Sequence, residues 1–187
     1  MSADVIIVTG PPGAGKSTTA RTLAETFPRS VHLHTDDFWH YITSGAIPPY
    51  LPESYDQNQV VMRVIQGAAS AYAMGGFTTL IDGIIGPWML GHFRGSGDGA
   101  DGPRLHYVVL RPVREETVRR AQERTAPDAL VDEEPILSLW DQFADLGALE
   151  SHAIDTTDQE PADTVRAVAD AIASDRFLLD TATARTV

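Results

Sequence analysis

Gly10-Pro11-Pro12-Gly13-Ala14-Gly15-Lys16-Ser17 is the stretch that decides the fold of this sequence. It follows an apolar run, Val5-Ile6-Ile7-Val8, and precedes a helical pattern in which Ala20, Leu23, Ala24 and Phe27 share one face. The spelling G-x-x-x-x-G-K-S between a strand and a helix is a phosphate-binding P-loop. Gly13 and Gly15 have no Cβ, so main-chain N–H groups can close around phosphate oxygens. The helix that follows turns its unpaired amides and positive dipole end toward the same anion. Gly10, Pro11, Pro12, Gly13, Ala14, Gly15, Lys16, Ser17 and the adjoining Thr18 are therefore the expected nucleotide site. Lys16 is placed for the β- and γ-phosphates, and the Ser17 hydroxyl for Mg²⁺. A glycine-rich turn with no ligand explains the glycines but not a lysine and a hydroxyl at the helix start. Lys16 is also the only lysine in the sequence, the other cationic residues being arginines.

Length and composition narrow the field. A chain of 187 residues, 43% hydrophobic and 21% charged, fits one domain over 1–187 with its own core. The formal net charge of −12 argues against a nucleic-acid or anionic-membrane surface, both of which need clustered basic residues. Without cysteine there are no disulfides and no cysteine–zinc sites. No apolar run approaches a membrane span, and Met1-Ser2-Ala3-Asp4 lacks a cationic start, so the expected location is cytoplasmic.

Outward from the loop, the patterns alternate as β-α-β-α-α-β-(loop)-β-α-α-β-α. This predicts an α/β fold, a parallel sheet wrapped by helices. Strands are expected at 4–9, 31–35, 78–81, 105–110 and 152–155. Pro28 ends the first helix. Val61, Ile65, Ala68 and Tyr72 mark one face of a helix closed by Gly75-Gly76. Two aromatic or proline-containing excursions, 38–59 and 84–104, interrupt the regular pattern; the second holds a small-residue run, 95–102, expected as a surface loop. Pro112 opens a helix, 126–135 is a break, and Ile136, Leu139, Trp140 and Phe143 form another helical face stopped by Gly147. Pro161 opens a last helix with Val165, Val168, Ala169 and Ile172 inward. The tail from 176 has no clear pattern.

Functional groups should gather at the carboxyl ends of the strands. Asp36 and Asp37 close the second strand and Asp82 the third. Moving a phosphoryl group to a hydroxyl needs a carboxylate to orient the attacking oxygen and take its proton, together with a metal held by oxygen ligands. Asp36 is the candidate base. Asp82 is the candidate support for Mg²⁺ beyond the directly coordinated atoms, and Asp37 a helix cap or support. Taken singly, each aspartate also fits a helix cap or turn. Arg120 and Arg124, four apart on a helix in the region 112–147, are placed to act as a lid, one on the base and one on phosphate charge. Spacing alone equally allows a solvated face paired with Glu115, Glu116 and Glu123; Arg111 shares that ambiguity. His32 and His34 share a strand face but lack a third metal ligand, and read as core or edge residues. Trp39, Tyr41, Tyr55 and Trp88 lie in the excursions and are expected, with Asp37 and Asp82, to line the acceptor pocket. Trp140 is expected in the core.

Over about residues 4–175 the chain resembles the small P-loop kinases of the nucleoside-monophosphate-kinase-like group, among them shikimate kinase, gluconate kinase, zeta toxins and particularly chloramphenicol phosphotransferase. Thr35-Asp36-Asp37-Phe38 matches the place of their strand-two base through Asp36, Ile81-Asp82-Gly83 resembles their third-strand motif, and Arg120-Ala121-Gln122-Glu123-Arg124 is similar to their two-arginine lid. The resemblance implies a three-layer P-loop fold, five strands in the order 2-3-1-4-5 with a helical lid, and favours function for the two arginines. One departure bears on the acceptor. Residues 36–59 and 82–102 contain seven acidic residues and one basic, Arg94, so a neutral or cationic hydroxyl compound fits better than an anion.

These readings converge on an ATP- and Mg²⁺-dependent O-phosphotransferase, a monomer or homodimer, acting on a small-molecule hydroxyl such as that of an antibiotic or other natural product. The alternatives are a metabolic or zeta-toxin-like nucleotide-sugar kinase and a non-catalytic nucleotide switch. A GTPase is disfavoured by the missing N-K-x-D motif, and an AAA-type motor by the short chain.

Overall fold

The computed structural model describes residues 2–93, 102–125 and 129–179. The surface loop expected at 95–102 falls almost wholly outside them, as do Arg94 and the end of the tail. Five strands, β1 (Val5–Thr9), β2 (Ser30–His34), β3 (Thr78–Gly83), β4 (Leu105–Leu110) and β5 (Ala153–Ile154), form one parallel sheet in the order β2-β3-β1-β4-β5. β1 lies between β3 and β4 and is buried along its whole length, which is why it reads as continuous apolar residues rather than alternating ones.

Helices cover both faces: α1 (Lys16–Ala24), α2 (Thr35–His40), α3 (Tyr55–Met74), α4 (Arg114–Gln122), α5 (Glu133–Asp141) and α6 (Pro161–Ala173). Strand alternation divides the core in two. Ile7, Ile81, Tyr107 and Val109 face α3, with Met62, Ile65 and Ala69 beneath them. Ile6, Val8, Leu80, Val108 and Leu110 face α1 and α6, against Ala20, Leu23, Val168 and Ile172.

Several boundaries differ from expectation. Asp36 and Asp37 lie in the first turn of α2 rather than ending a strand, because the helix starts at Thr35, directly after β2. The buried face of α3 is Val61, Met62, Ile65, Ala69 and Ala73, one residue round from Ala68 and Tyr72; Tyr72 is exposed and meets Phe77 edge-on instead. α5 opens before Pro135 and ends at Asp141, so the break is shorter than 126–135 and Gly147 does not stop that helix. Gly147 instead opens a separate 3₁₀ turn with φ 57°. Trp140 is half-buried, its Nε1–H donating to Pro112 O at 3.0 Å. The tail is docked as far as residue 179. Tyr107 N–H donates to Phe177 O (2.9 Å) and Leu179 N–H to Leu105 O (2.8 Å), an antiparallel pairing on the part of β4 that short β5 does not reach. The Phe177 side chain is fully buried in the cluster under α1 and α6, its ring 5.7 Å from that of His152.

Candidate phosphoryl-transfer site

Residues 10–15 carry the chain from β1 into α1 at the carboxyl end of the sheet. Gly15 is the N-cap of α1 with φ 87°, a left-handed conformation that glycine adopts without strain, and no side chain caps the first turn. The amides there remain directed outward, the arrangement that receives a phosphate. Gly13, φ 77°, packs on α4: a Cβ in its place would lie 2.7 Å from Thr117 O and 2.9 Å from Ala121 N. The loop and the arginine-bearing helix are thus in direct contact.

Lys16 Nζ donates to Pro11 O at 2.9 Å, which folds the side chain back over the loop. Burial lowers its pKa to about 8, against the opposing pull of Asp82 and Asp36 and with a further push from Arg124. Asp36 and Arg124 are thus both near enough to Lys16 to act on its charge.

Asp82, at the end of β3, is fully buried. Ser17 Oγ–H donates to its Oδ2 in a very short contact. His32 Nε2 lies 2.5 Å from Oδ1, and His34 Nδ1 lies 3.1 Å from both oxygens. Burial opposes ionisation of Asp82, yet the hydrogen bonds from His32, His34 and Ser17 outweigh it and hold the carboxyl below the usual range. An ionised carboxylate only accepts, so both imidazoles are donors here. The same contact raises the His34 pKa. His32 and His34 lie on an edge strand, one of the two places the sequence reading gave them, and there they are engaged with Asp82. The register of β2 on β3, with His34 opposite Asp82, brings them to the site. Two imidazoles alternating along a strand are the only sequence trace of it.

The Ser17 hydroxyl, backed by the Asp82 carboxylate, offers oxygen of the kind a hard divalent cation takes. Among the described residues no group of three or more His, Cys, Asp or Glu side chains is arranged to hold a metal ion. Asp36 is largely solvent-exposed, its Oδ2 3.7 Å from His34 Nε2.

Arg120 is anchored rather than free. Its Nε–H donates to Glu116 Oε1 at 2.6 Å, and Nη2 donates to Thr156 O (3.0 Å) and Thr157 O (2.8 Å) in the loop after β5. The expected acidic pairing holds for Glu116, while Glu123 is taken by Arg119. Arg124 lies past the end of α4, so the two arginines do not share a helix face. Arg111 is tied to Glu150 and to the Phe143 and Ala144 carbonyls, a structural brace at the end of α5.

On the acceptor side Asp37 is exposed in the first turn of α2. Trp39 is half-buried and donates from Nε1 to Asn58 Oδ1 at 2.8 Å, joining α2 to α3. Tyr41 and Tyr55 are exposed (71% and 66%), and Trp88, half exposed, meets Phe143 at a tilt, 5.9 Å between ring centroids. Asp82 does not join this group, since its oxygens are taken up by Ser17 and the two histidines.

Solved structures similar to this chain include a sugar kinase from Janibacter sp. HTCC2649 (TM-score 0.66, 20% identity, covering 91% of this chain and 95% of that one). A shikimate kinase from Acinetobacter baumannii, in complex with shikimate, gives a TM-score of 0.65 at 20% identity, covering 92% and 94%. The tunicamycin resistance protein of Deinococcus radiodurans gives 0.64 at 15%, covering 91% and 95%. No curated protein matches the sequence. At these identities the likeness establishes the fold, that of small P-loop kinases. A family model described as AAA domain matches residues 6–136, from β1 into α5. The chain belongs to that AAA domain family and carries the small P-loop kinase fold.

Proposed function

We propose that this chain is an ATP-dependent O-phosphotransferase that moves the γ-phosphoryl group to a hydroxyl of a small molecule. The observation that supports it most is the placing of Asp36. It stands exposed at the start of α2, close enough to Lys16 to act on its charge, at the same end of the sheet as the Ser17–Asp82 pair. A nucleotide switch needs the loop and Ser17 but has no use for an exposed carboxylate beside them.

In this reading the amides and Lys16 hold the triphosphate. Asp36 accepts the acceptor's hydroxyl proton as that oxygen bonds to the γ-phosphorus; the bond to the β,γ-bridging oxygen breaks and ADP leaves. Ser17 would hold Mg²⁺ through its hydroxyl, with Asp82 behind it orienting that hydroxyl, and the ion would supply charge neutralisation across the phosphates. Arg124, beside Lys16, adds positive charge where the transferring group becomes more anionic, and Arg120 borders the nucleotide at the loop after β5.

Asp36, Asp37, Glu53 and Asp56 around exposed Tyr41, Tyr50 and Tyr55 favour a neutral or cationic acceptor with apolar surface. A natural product or antibiotic meets that description, and the kinship in fold with a tunicamycin resistance protein agrees with it. A metabolic alcohol or nucleotide sugar is the second reading, favoured by the sugar and shikimate kinases of the same fold. A cytoplasmic monomer or homodimer goes with either. ADP release from ATP·Mg²⁺, measured with a panel spanning aminated natural products, sugars, sugar acids and nucleotide sugars, is the test. Stimulation by one class is expected; none across the panel supports the switch instead.

A further inference from the structure

Asp82 is a buried carboxylate with an unusually complete set of donors. Oδ2 receives Ser17 Oγ–H and His34 Nδ1, while Oδ1 receives His32 Nε2 at 2.5 Å and shares His34 Nδ1 at 3.1 Å. Ser17 thereby spends its proton on Asp82 and keeps its lone pairs for a cation. A carboxylate held by Ser17 alone would be free to turn about its Cβ–Cγ bond, and a buried charge short of donors is costly. The imidazoles do not serve the core in return. β2 is an edge strand, His32 and His34 side chains are 17% and 34% exposed, and it is Leu33, pointing the other way, that packs on the hydrophobic cluster.

We infer that His32 and His34 are positioning residues that lock Asp82 onto the Ser17 hydroxyl and so set how strongly Mg²⁺ and the nucleotide bind together. This rests on the nucleotide·Mg²⁺ site of the proposed function but not on phosphoryl transfer. Both histidines act through the Asp82 carboxylate and the Ser17 hydroxyl; His34 also has Asp36 Oδ2 3.7 Å from its Nε2, which makes the His32 variants the cleaner arm of the test. Groups that orient a metal's ligands commonly change metal affinity ten- to a hundredfold when removed.

The test is calorimetric binding of a non-hydrolysable ATP analogue, with and without Mg²⁺, to the full chain. The measured quantity is the ratio of the two dissociation constants. His32→Leu and His34→Leu remove the donors; His32→Gln and His34→Asn keep a donor near the Nε2 and Nδ1 positions. The leucine variants are expected to cut the Mg²⁺-dependent gain about tenfold while leaving Mg²⁺-free affinity unchanged, and the amide variants to retain most of the gain. His32→Ser, too short to reach Asp82 and free of apolar surface, gives the same reading if a leucine variant does not fold. An unchanged ratio in the donor-less variants, or an equal loss with and without Mg²⁺, overturns the inference alone. Wild-type protein that binds no nucleotide overturns the proposed function as well.

Discussion

Asp36 and Lys16 sit near enough to feel each other's charge, and their roles separate experimentally. Asp36→Asn removes the proton acceptor and leaves the phosphate-binding amides intact. Turnover is expected to fall about a thousandfold, within the span usual for general bases, with ATP affinity retained; steady-state kinetics beside equilibrium binding checks both. Gly13→Ala acts differently. Its Cβ would press on the Thr117–Ala121 turn of α4 and force a side chain into φ 77°, so nucleotide affinity should drop with the α4 contact; binding and thermal melting of the variant measure this. At this scale the sequence was most and least informative at once. Lys16 and Ser17 were legible because the loop's chemistry is local. His32 and His34 were not, because their partner is some fifty residues away, and only the pairing of β2 with β3 brings Asp82 to them.

Arg120 links two elements, α4 and the loop after β5, through the Thr156 and Thr157 carbonyls. Arg120→Ala should therefore weaken ATP binding about tenfold, the worth of one charged hydrogen bond, and should change the acceptor's KM little; varying each substrate in turn distinguishes the two. The alternation of elements was legible from periodicity, yet the buried face of α3 was not. Its twenty residues carry only Asp56 and Arg63 as charges, so apolar positions run all round the helix and a 3.6-residue period fits more than one stripe. The docked tail had no periodic mark either. Phe177 is held by main-chain pairing to β4 and by burial, both non-local. Phe177→Ala should cost about 3–5 kcal/mol in chemical denaturation, since it empties a filled site beside His152.

The whole molecule is tied across its amino-terminal sheet edge by Arg104, which bonds both Asp4 (2.8 Å) and Asp175 (2.9 Å), with His106 Nε2 3.4 Å from Asp4. The His106 contact, reinforced by Arg104 against the cost of burial, holds the Asp4 pKa at about 2 instead of 3.8. A depressed carboxylate adds stability above its unfolded value and loses it as pH falls through the folded one. That contribution, about 1–2 kcal/mol, should disappear between about pH 4 and pH 2, and Asp4→Asn should remove it from the stability profile above pH 4. The sheet order, the P-loop and Asp36 at its carboxyl end together make the claim that this fold transfers a phosphoryl group to an alcohol. The most direct measurement follows the label from γ-labelled ATP in single-turnover reactions, wild type beside Asp36→Asn, with whichever compound stimulates ADP release. Label on the acceptor's oxygen in the wild type and its near-absence in the variant is the expected result; label released only as inorganic phosphate, or transfer undiminished in Asp36→Asn, contradicts the account.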